Sequence, residues 1–295
     1  MISTLLIIAQ QALMHMPLII GAYISIALMK VPDLSIETAF MCGALCSSSL
    51  MLLNCTMPLL LALIIALLAS LFGGAFVGIV SSSITHYGKL PHLLSSIITF
   101  GIFHGLVQLF ISPYVSLSGY NSPLTLYAVF PRQPEFIMLL IISSVVILAV
   151  AYVLKTQLGF SYAVFGNNPK FFRNYGISTG FVFMTGIILA NALAGLSGYL
   201  IAQSNGFAEM NMGIGKVLLC ITALILGKTL MNTKNPITLL IPGIGIFSYF
   251  ALQQLMLKIG FNLKYFTMLQ ALIVLAILIL YYRKHTSERI EHLGV

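Results

Sequence analysis

Polar side chains at helical spacing inside long apolar runs are the residues of this sequence that could do chemistry. Gln11 and His15 stand four positions apart in the first apolar run, so they share one face of a helix. His104 and Gln108 repeat this spacing in a later run. Such groups are candidates for lining a solute path, because they can replace water around a polar molecule. They could equally satisfy a neighbouring helix, and the residues leave both interpretations open.

Further polar residues complete this set of candidates. Glu37 lies one helical turn after Asp33 near the start of the second apolar run, where it could line a path or favour the dipole of a helix N-terminus. Asn191 stands in a row of small residues and could face a path or bond to a neighbouring helix. The predicted path-lining residues are Glu37, Ser96, His104, Gln108 and Asn191.

Residue patterns typical of catalysis and metal binding are missing from the sequence. It contains no HExxH or GxSxG motif, and its cysteines form no CxxC pair. The tripeptide at 227–229 resembles the end of a phosphate-binding loop, but Thr222 stands where that loop requires glycine. We therefore expect no catalytic, cofactor-binding or metal-binding residues, which disfavours an intramembrane enzyme.

Composition makes lipid the solvent for most of the chain. Its 295 residues are 59% hydrophobic and only 7% charged, whereas an ordinary soluble domain has about 25% charged residues. A helical span needs roughly 20 apolar residues, so the length allows about eight to ten spans. The net charge of +8 is spread over the loops. This pattern sets membrane orientation and does not indicate nucleic-acid binding.

Nine apolar runs predict an all-α, polytopic transmembrane bundle that forms a single domain over residues 1–295. Helices are expected because isolated strands would leave backbone groups unpaired in lipid. Lysine and arginine in the loop at about 155–179 and in the tail after residue 282 place both in the cytoplasm, and the N-terminus then lies outside. The predicted spans are 4–29, 34–53, 58–84, 91–112, 136–154, 180–203, 213–230, 237–256 and 265–282.

The loop at 155–179 mixes basic, aromatic and glycine residues. Asn168 can cap a short helix that begins at Pro169, and Gly176 can end it. Exposed aromatic rings on this helix would form either a docking knob for a partner protein or an anchor on lipid head groups. The rings that the helix would display belong to Phe171, Phe172 and Tyr175.

A row of small residues runs along one face of the span at 180–203. Small side chains at this spacing let a neighbouring helix approach closely, so we interpret the row as a packing surface. The residues predicted to pack in this way are Gly195, Gly198 and Ala202, with Asn191 on the same face.

Four stretches of this sequence, taken in order, resemble the membrane-spanning permeases of ABC transporters of the branched-chain amino-acid and ribose type. Residues 158–177 are similar to the cytoplasmic coupling segment of that family. The other similar stretches are 33–40, 89–94 and 191–215. The sequence departs from the family pattern at 163–165, where an arginine is usual, and at Lys216, where an apolar residue is usual.

The resemblance implies a permease subunit that imports a small, amino-acid-like solute across the bacterial plasma (inner) membrane. It further implies a separate ATPase that carries the ATP and Mg, an extracytoplasmic solute-binding protein, and a second copy of the chain or a paralogue. An ion-gradient-driven secondary transporter is the alternative, although no clear pair of Gly/Pro-broken helices marks two matching halves. The ATPase would dock on Gly166, Asn167, Asn168, Pro169, Phe171, Phe172, Tyr175 and Gly176.

Overall fold

The computed structural model describes most of the chain as a helical bundle with one short β-ribbon. The described residues are 2–53, 58–117, 134–168, 171–172, 176, 178–231, 238–260, 262, 265–272, 274–275 and 279. The helices are α1 (Ile2–Ala22), α2 (Ser35–Leu53), α3 (Leu59–Gly88), α4 (His92–Phe110), α5 (Pro134–Lys155), α6 (Gln157–Asn167), α7 (Thr179–Asn205), α8 (Lys216–Leu230) and α9 (Leu240–Lys258). The strands are β1 (Tyr114–Ser116) and β2 (Phe207–Glu209).

The described helices confirm a polytopic membrane protein. Seven of them are long and apolar enough to cross a membrane. The predicted span at 213–230 is instead the 15-residue helix α8, whose length of about 23 Å is less than the roughly 30 Å hydrocarbon core of a bilayer. The predicted span at 265–282 lies partly outside the described residues. The expected number of nine spans is therefore approximate.

Helix α7 is the centre of the bundle and packs against α1, α2 and α3. Its glycines bring the backbones close, since a Cβ atom at Gly198 would overlap the carbonyl oxygen of Phe40 on α2. A Cβ atom at Gly195 would likewise overlap the carbonyl oxygen of Ser70 on α3. Ala202, one turn further on, is fully buried. The row of small residues thus faces the neighbouring helices.

The β-ribbon is the part of the fold that the all-α prediction missed. β1 pairs antiparallel with β2, with Val115 opposite Ala208. Strands of three residues carry too little periodicity to be recognised from sequence. The ribbon joins the chain after α4 to the chain after α7, so it marks the end of the bundle where those two helices finish.

The opposite end of the bundle holds α6. The first span ends there in a π-helical segment, Tyr23–Leu28, which continues directly from α1. A joint at residues 29–34 then leads into α2. Single π-helical turns in long helices are often found at functional sites, and this one lies beside α6.

Candidate functional site

A polar cavity of about 540 Å³ lies among α1, α7, α8, α9 and residues 266–270. It is at the end of the bundle that carries the β-ribbon, because its wall includes the last residues of α7. Its polar lining residues are Gln10, Gln11, His15, Ser204, Asn205, Lys216, Tyr249, Gln253, Thr267 and Gln270.

The depth of the cavity follows from its contacts with α7. The hydroxyl of Ser197 donates a hydrogen bond of 2.7 Å to the carbonyl of Met14, the residue before His15. Ser197 precedes the end of α7 at Asn205 by eight residues, a distance of about 12 Å along the helix. His15 therefore lies well inside the bundle, and the cavity connects that depth with the ribbon end.

A histidine and a lysine meet in the cavity wall. His15 Nδ1 lies 2.9 Å from the carbonyl oxygen of Gln11, and because a carbonyl can only accept, Nδ1 must donate. In the neutral ring, Nε2 is then the acceptor for the Nζ of Lys216, at 3.3 Å. The same ammonium group stands 4.9 Å from the ring centroid of Phe40, within range of a cation–π contact.

Glu37 lies at a helix N-terminus, which is the alternative that the sequence left open beside path lining. Its Oε1 accepts a hydrogen bond of 3.2 Å from the backbone N–H of Val217, so it satisfies a donor in the first turn of α8. A carboxylate at a helix N-terminus is also favoured by the helix dipole. The helix involved is α8 and not its own helix α2, and Glu37 is absent from the cavity lining.

Asn191 is likewise buried in the bundle and does not line the cavity, and its contacts match the other alternative left open by the sequence, a bond to a neighbouring helix. Its Nδ2 donates to Asp33 Oδ2 and to the carbonyl of Ile187, both at 2.9 Å, and its Oδ1 accepts from the hydroxyl of Ser35 at 3.1 Å. Both Asn191 and Asp33 are fully buried. A side chain with this many protein partners has little capacity left for a passing solute.

The buried carboxylate of Asp33 also meets His92 at the start of α4. His92 Nε2 lies 3.2 Å from Asp33 Oδ1, although the angle of this contact is not that of a hydrogen bond. The other ring nitrogen of His92 lies 2.9 Å from the hydroxyl of Thr85 on α3. Asp33 thus ties the joint after the first span to α3, α4 and α7.

The structure does not bring the three α4 candidates to the cavity. Ser96 is fully buried and donates to the carbonyl of Leu93 on its own helix, at 2.8 Å. His104 is half-buried against the ring of Phe100, and Gln108 is exposed. None of them lines the cavity. Helical spacing correctly groups residues by face, but it cannot say which face meets the cavity.

The loop predicted to couple to an ATPase begins with a helix that the sequence did not predict, which lies before the expected helix at Pro169. Helix α6 runs to Asn167, and the N–H of Asn168 donates to the carbonyl of Val164, which ends α6. The carbonyl of Asn168 then accepts from the N–H of Phe171. Gly176 has a φ of +68°, as expected for a residue that ends a helix. Pro169 and Tyr175 lie outside the described residues.

The two described aromatic residues of this segment point in different directions. Phe171 has 40% of its surface exposed, whereas Phe172 has only 2%. Consecutive residues of a helix are about 100° apart, so one ring can face outward while the next faces the bundle. Phe172 is therefore a core residue and not a displayed ring, which corrects the prediction for that position.

Helix α6 is fixed directly to the joint after the first span. A Cβ atom at Gly166 would overlap the carbonyl oxygen of Leu28, so the two backbones are in close contact. Lys30 Nζ donates a hydrogen bond of 2.8 Å to Oδ1 of the adjacent Asn167. The sequence pattern identified this segment, but only the structure shows that it contacts the π-helical end of the first span.

The fold and the site together define a polytopic membrane protein with a solute-sized polar cavity at one end and an exposed, tightly held helix at the other. The chain belongs to the family of permease components of branched-chain amino acid transport systems, whose sequence profile matches residues 5–278. This confirms the resemblance noted from the sequence. The protein is accordingly a permease component of an ABC-type transport system for small solutes.

Individual relatives agree with this assignment. An uncharacterized protein of Rickettsia prowazekii (strain Madrid E) is 30% identical over 86% of this chain and 89% of its own. A tyrosine transport system permease protein of Clostridioides difficile (strain R20291) is 27% identical over 78% and 75%. The autoinducer 2 import system permease protein LsrC of Yersinia enterocolitica is 27% identical over 60% and 48%. No solved structure gives a significant match.

Proposed function

We propose that this chain is the membrane-spanning subunit of an ATP-driven importer of the bacterial plasma membrane, and that a separate ATPase docks on α6 and the segment to Gly176. The observation that carries the proposal is the close backbone contact between Gly166 and Leu28. Through it, any displacement of α6 by a docked subunit reaches the first span without a flexible link in between.

The contacts around this joint indicate how the movement spreads. Lys30 is bonded to Asn167 of α6, and three residues further on Asp33 contacts Asn191 of α7 and His92 of α4. Because α1 also forms a wall of the cavity, a shift of α6 alters the cavity at the opposite end. ATP and Mg would be bound by the ATPase and not by this chain.

The cavity would form part of the solute path. Its lining combines amide, hydroxyl, imidazole and ammonium groups, which suits a solute with both hydrogen-bond donors and acceptors. An amino-acid-like solute fits this chemistry, and one relative is a tyrosine transport system permease protein. An extracytoplasmic binding protein would deliver the solute, and a second copy or a paralogue would complete the path.

Docking of an ATPase on α6 would also set the orientation of the chain in the membrane. If α6 faces the cytoplasm, the N-terminus of α1 and the β-ribbon lie on the extracytoplasmic side, because the first span runs from the ribbon end to α6. The cavity then opens toward the side from which a binding protein delivers solute. The basic tail after residue 282, which also indicates a cytoplasmic C-terminus, lies outside the described residues.

The two neighbouring phenylalanines provide a test of docking. Replacing Phe171 by Ala should remove apolar area that a partner covers, and with 40% of the ring exposed the loss is about 1 kcal/mol, or about fivefold in the dissociation constant of the ATPase. The thermal stability of the permease itself should not change. The measurement is the affinity of the ATPase for the purified permease in lipid nanodiscs.

Phe172 supplies the matched comparison. Its replacement by Ala empties a core position and should reduce the free energy of unfolding by about 3–5 kcal/mol. If Phe171→Ala leaves the affinity for the ATPase unchanged while Phe172→Ala destabilises the protein as expected, the ring of Phe171 is not part of a docking surface.

A further inference from the structure

Lys216 is a cation placed at depth in the bundle and directed at the cavity. It begins α8 and lines the cavity wall. An ammonium group has three donor hydrogens, and among the described residues its one hydrogen bond goes to His15. Lys216 is partly buried, and a cation in such a place in a membrane protein is costly unless an anion or good hydrogen bonds accompany it.

The protein supplies only part of the negative charge near this cation, through the electrostatic attraction of Glu37. Glu37 is the carboxylate on the neighbouring helix, but its Oε1 is engaged by the backbone N–H of Val217. Within the described part of the chain, Lys216 forms no ion pair with Glu37 or any other carboxylate. His15 accepts as a neutral ring, and Phe40 contributes only the face of its own ring. The ammonium group therefore retains capacity for an anion in the cavity.

The same cavity is also lined by hydrogen-bond acceptors, which complement the donor hydrogens of Lys216. The side-chain Oε1 atoms of Gln11 and Gln253 are buried and have no hydrogen-bond partner among the residues that the structure describes. Both residues line the cavity, and buried acceptors of this kind normally have a partner. A solute with a hydrogen-bond donor beside its anionic group could bind Lys216 and donate to these two amide oxygens at the same time.

We propose that Lys216 binds the carboxylate of the transported solute, and that the amide oxygens of Gln11 and Gln253 accept hydrogen bonds from the donor group beside it. Lys216 is then the residue that makes the cavity select acids over neutral analogues. This inference rests on the proposed function of the cavity as part of the solute path. It adds the specificity-determining group and the solute chemistry that this group recognises.

The experiment measures binding to the purified full-length chain in nanodiscs, without an ATPase. The probes are the proteinogenic amino acids, each paired with its own carboxamide, which has the same shape but no carboxylate charge. Binding is measured as the ligand-dependent rise in the unfolding temperature. At least one acid should bind the wild-type chain roughly 10- to 100-fold more tightly than its amide, as expected for one charge-assisted contact.

Variants of Lys216 test whether this residue causes the preference for the acid over its carboxamide. Lys216→Met should bring the ratio of acid to amide affinity close to one, whereas Lys216→Arg should retain a preference for the acid. Lys258→Met removes an exposed lysine outside the cavity and should leave the ratio unchanged. Should Lys216→Met alone fold poorly, the double variant Lys216→Met with Glu37→Gln removes both charges and should show the same loss of preference.

Two results would overturn the inference. One is that no acid binds the wild-type chain better than its amide. The other is that Lys216→Met, or the double variant, keeps the wild-type ratio, which would make Lys216 a structural residue only. Failure of an ATPase to associate with the chain would count against the proposed function, and it would leave this binding result unaffected.

Discussion

Gly198→Leu is expected to prevent the bundle from folding. A Cβ atom at this position already overlaps the carbonyl oxygen of Phe40, and a backbone oxygen cannot rotate away as a side chain can. Helix α2 would have to move off α7, and we expect a loss of about 3 kcal/mol or more in the free energy of unfolding. The measurement is the yield of monodisperse protein in detergent and its unfolding temperature.

Gly101→Leu is the matched control for this substitution. It places the same side chain in another membrane helix, α4, where nothing lies within 4 Å of the added Cβ atom. This variant should accumulate and unfold as the wild type does. Equal stability of the Gly198→Leu and Gly101→Leu variants would show that α2 and α7 do not pack at the distance seen in the structure.

The second large effect is expected from Gly166→Leu, which should abolish transport without preventing membrane insertion. The added side chain would push α6 away from the carbonyl of Leu28 and break the contact through which we propose that α6 acts on the first span. We expect ATP-driven uptake to fall by at least about tenfold. Protein abundance in the membrane should be unchanged, because α6 is outside the helices that can span it.

The comparison for Gly166→Leu is Gln157→Leu, which puts the same side chain on an exposed position of the same helix. Transport should be close to that of the wild type in this variant. The proposed transmission through α6 would be wrong if Gly166→Leu transports solute normally. If both variants lose transport together with ATPase binding, the defect lies in docking and not in the contact with Leu28.

The helical bundle could be predicted from sequence because hydrophobicity over about 20 residues is a strong signal and lipid permits few alternatives. The exposed segment near Gly176 could also be recognised, since its turn residues and aromatic rings are unusual in a chain with short loops. The apolar residues of α8 predict a span, but hydrophobicity alone does not show where a helix begins. In the structure α8 begins only at Lys216, which is in the cavity wall, and has 15 residues.

The roles of single polar residues could not be predicted in this way. For Asn191 and Glu37 the sequence leaves a solute path and a contact with another helix open, and in the structure each is satisfied by a neighbour distant in sequence. Asn191 bonds to Asp33, and Glu37 bonds to the N–H of Val217. His15 was noted from its spacing to Gln11, but its pairing with Lys216 spans 201 positions. No local pattern encodes contacts of this kind.

Local sequence patterns also could not show that Phe171 is exposed and Phe172 is buried. Both are aromatic, and both lie in a segment whose composition indicates a surface helix. Helical geometry requires neighbouring residues to face different ways, but the sequence does not show which of the two meets the bundle. The structure assigns the buried position to Phe172, and the test of docking accordingly depends on Phe171.

Photo-crosslinking from position 171 is the most direct test of the central claim that an ATPase docks on this segment. A benzoylphenylalanine introduced in place of Phe171, in cells that express the complete transporter, is irradiated, and the crosslinked products are identified by mass spectrometry. We expect a crosslink to an ABC ATPase from position 171, and no such crosslink when the same group replaces the exposed Phe110 at the ribbon end. Crosslinks from position 171 to lipid alone would contradict the claim, because the segment would then rest on the membrane surface.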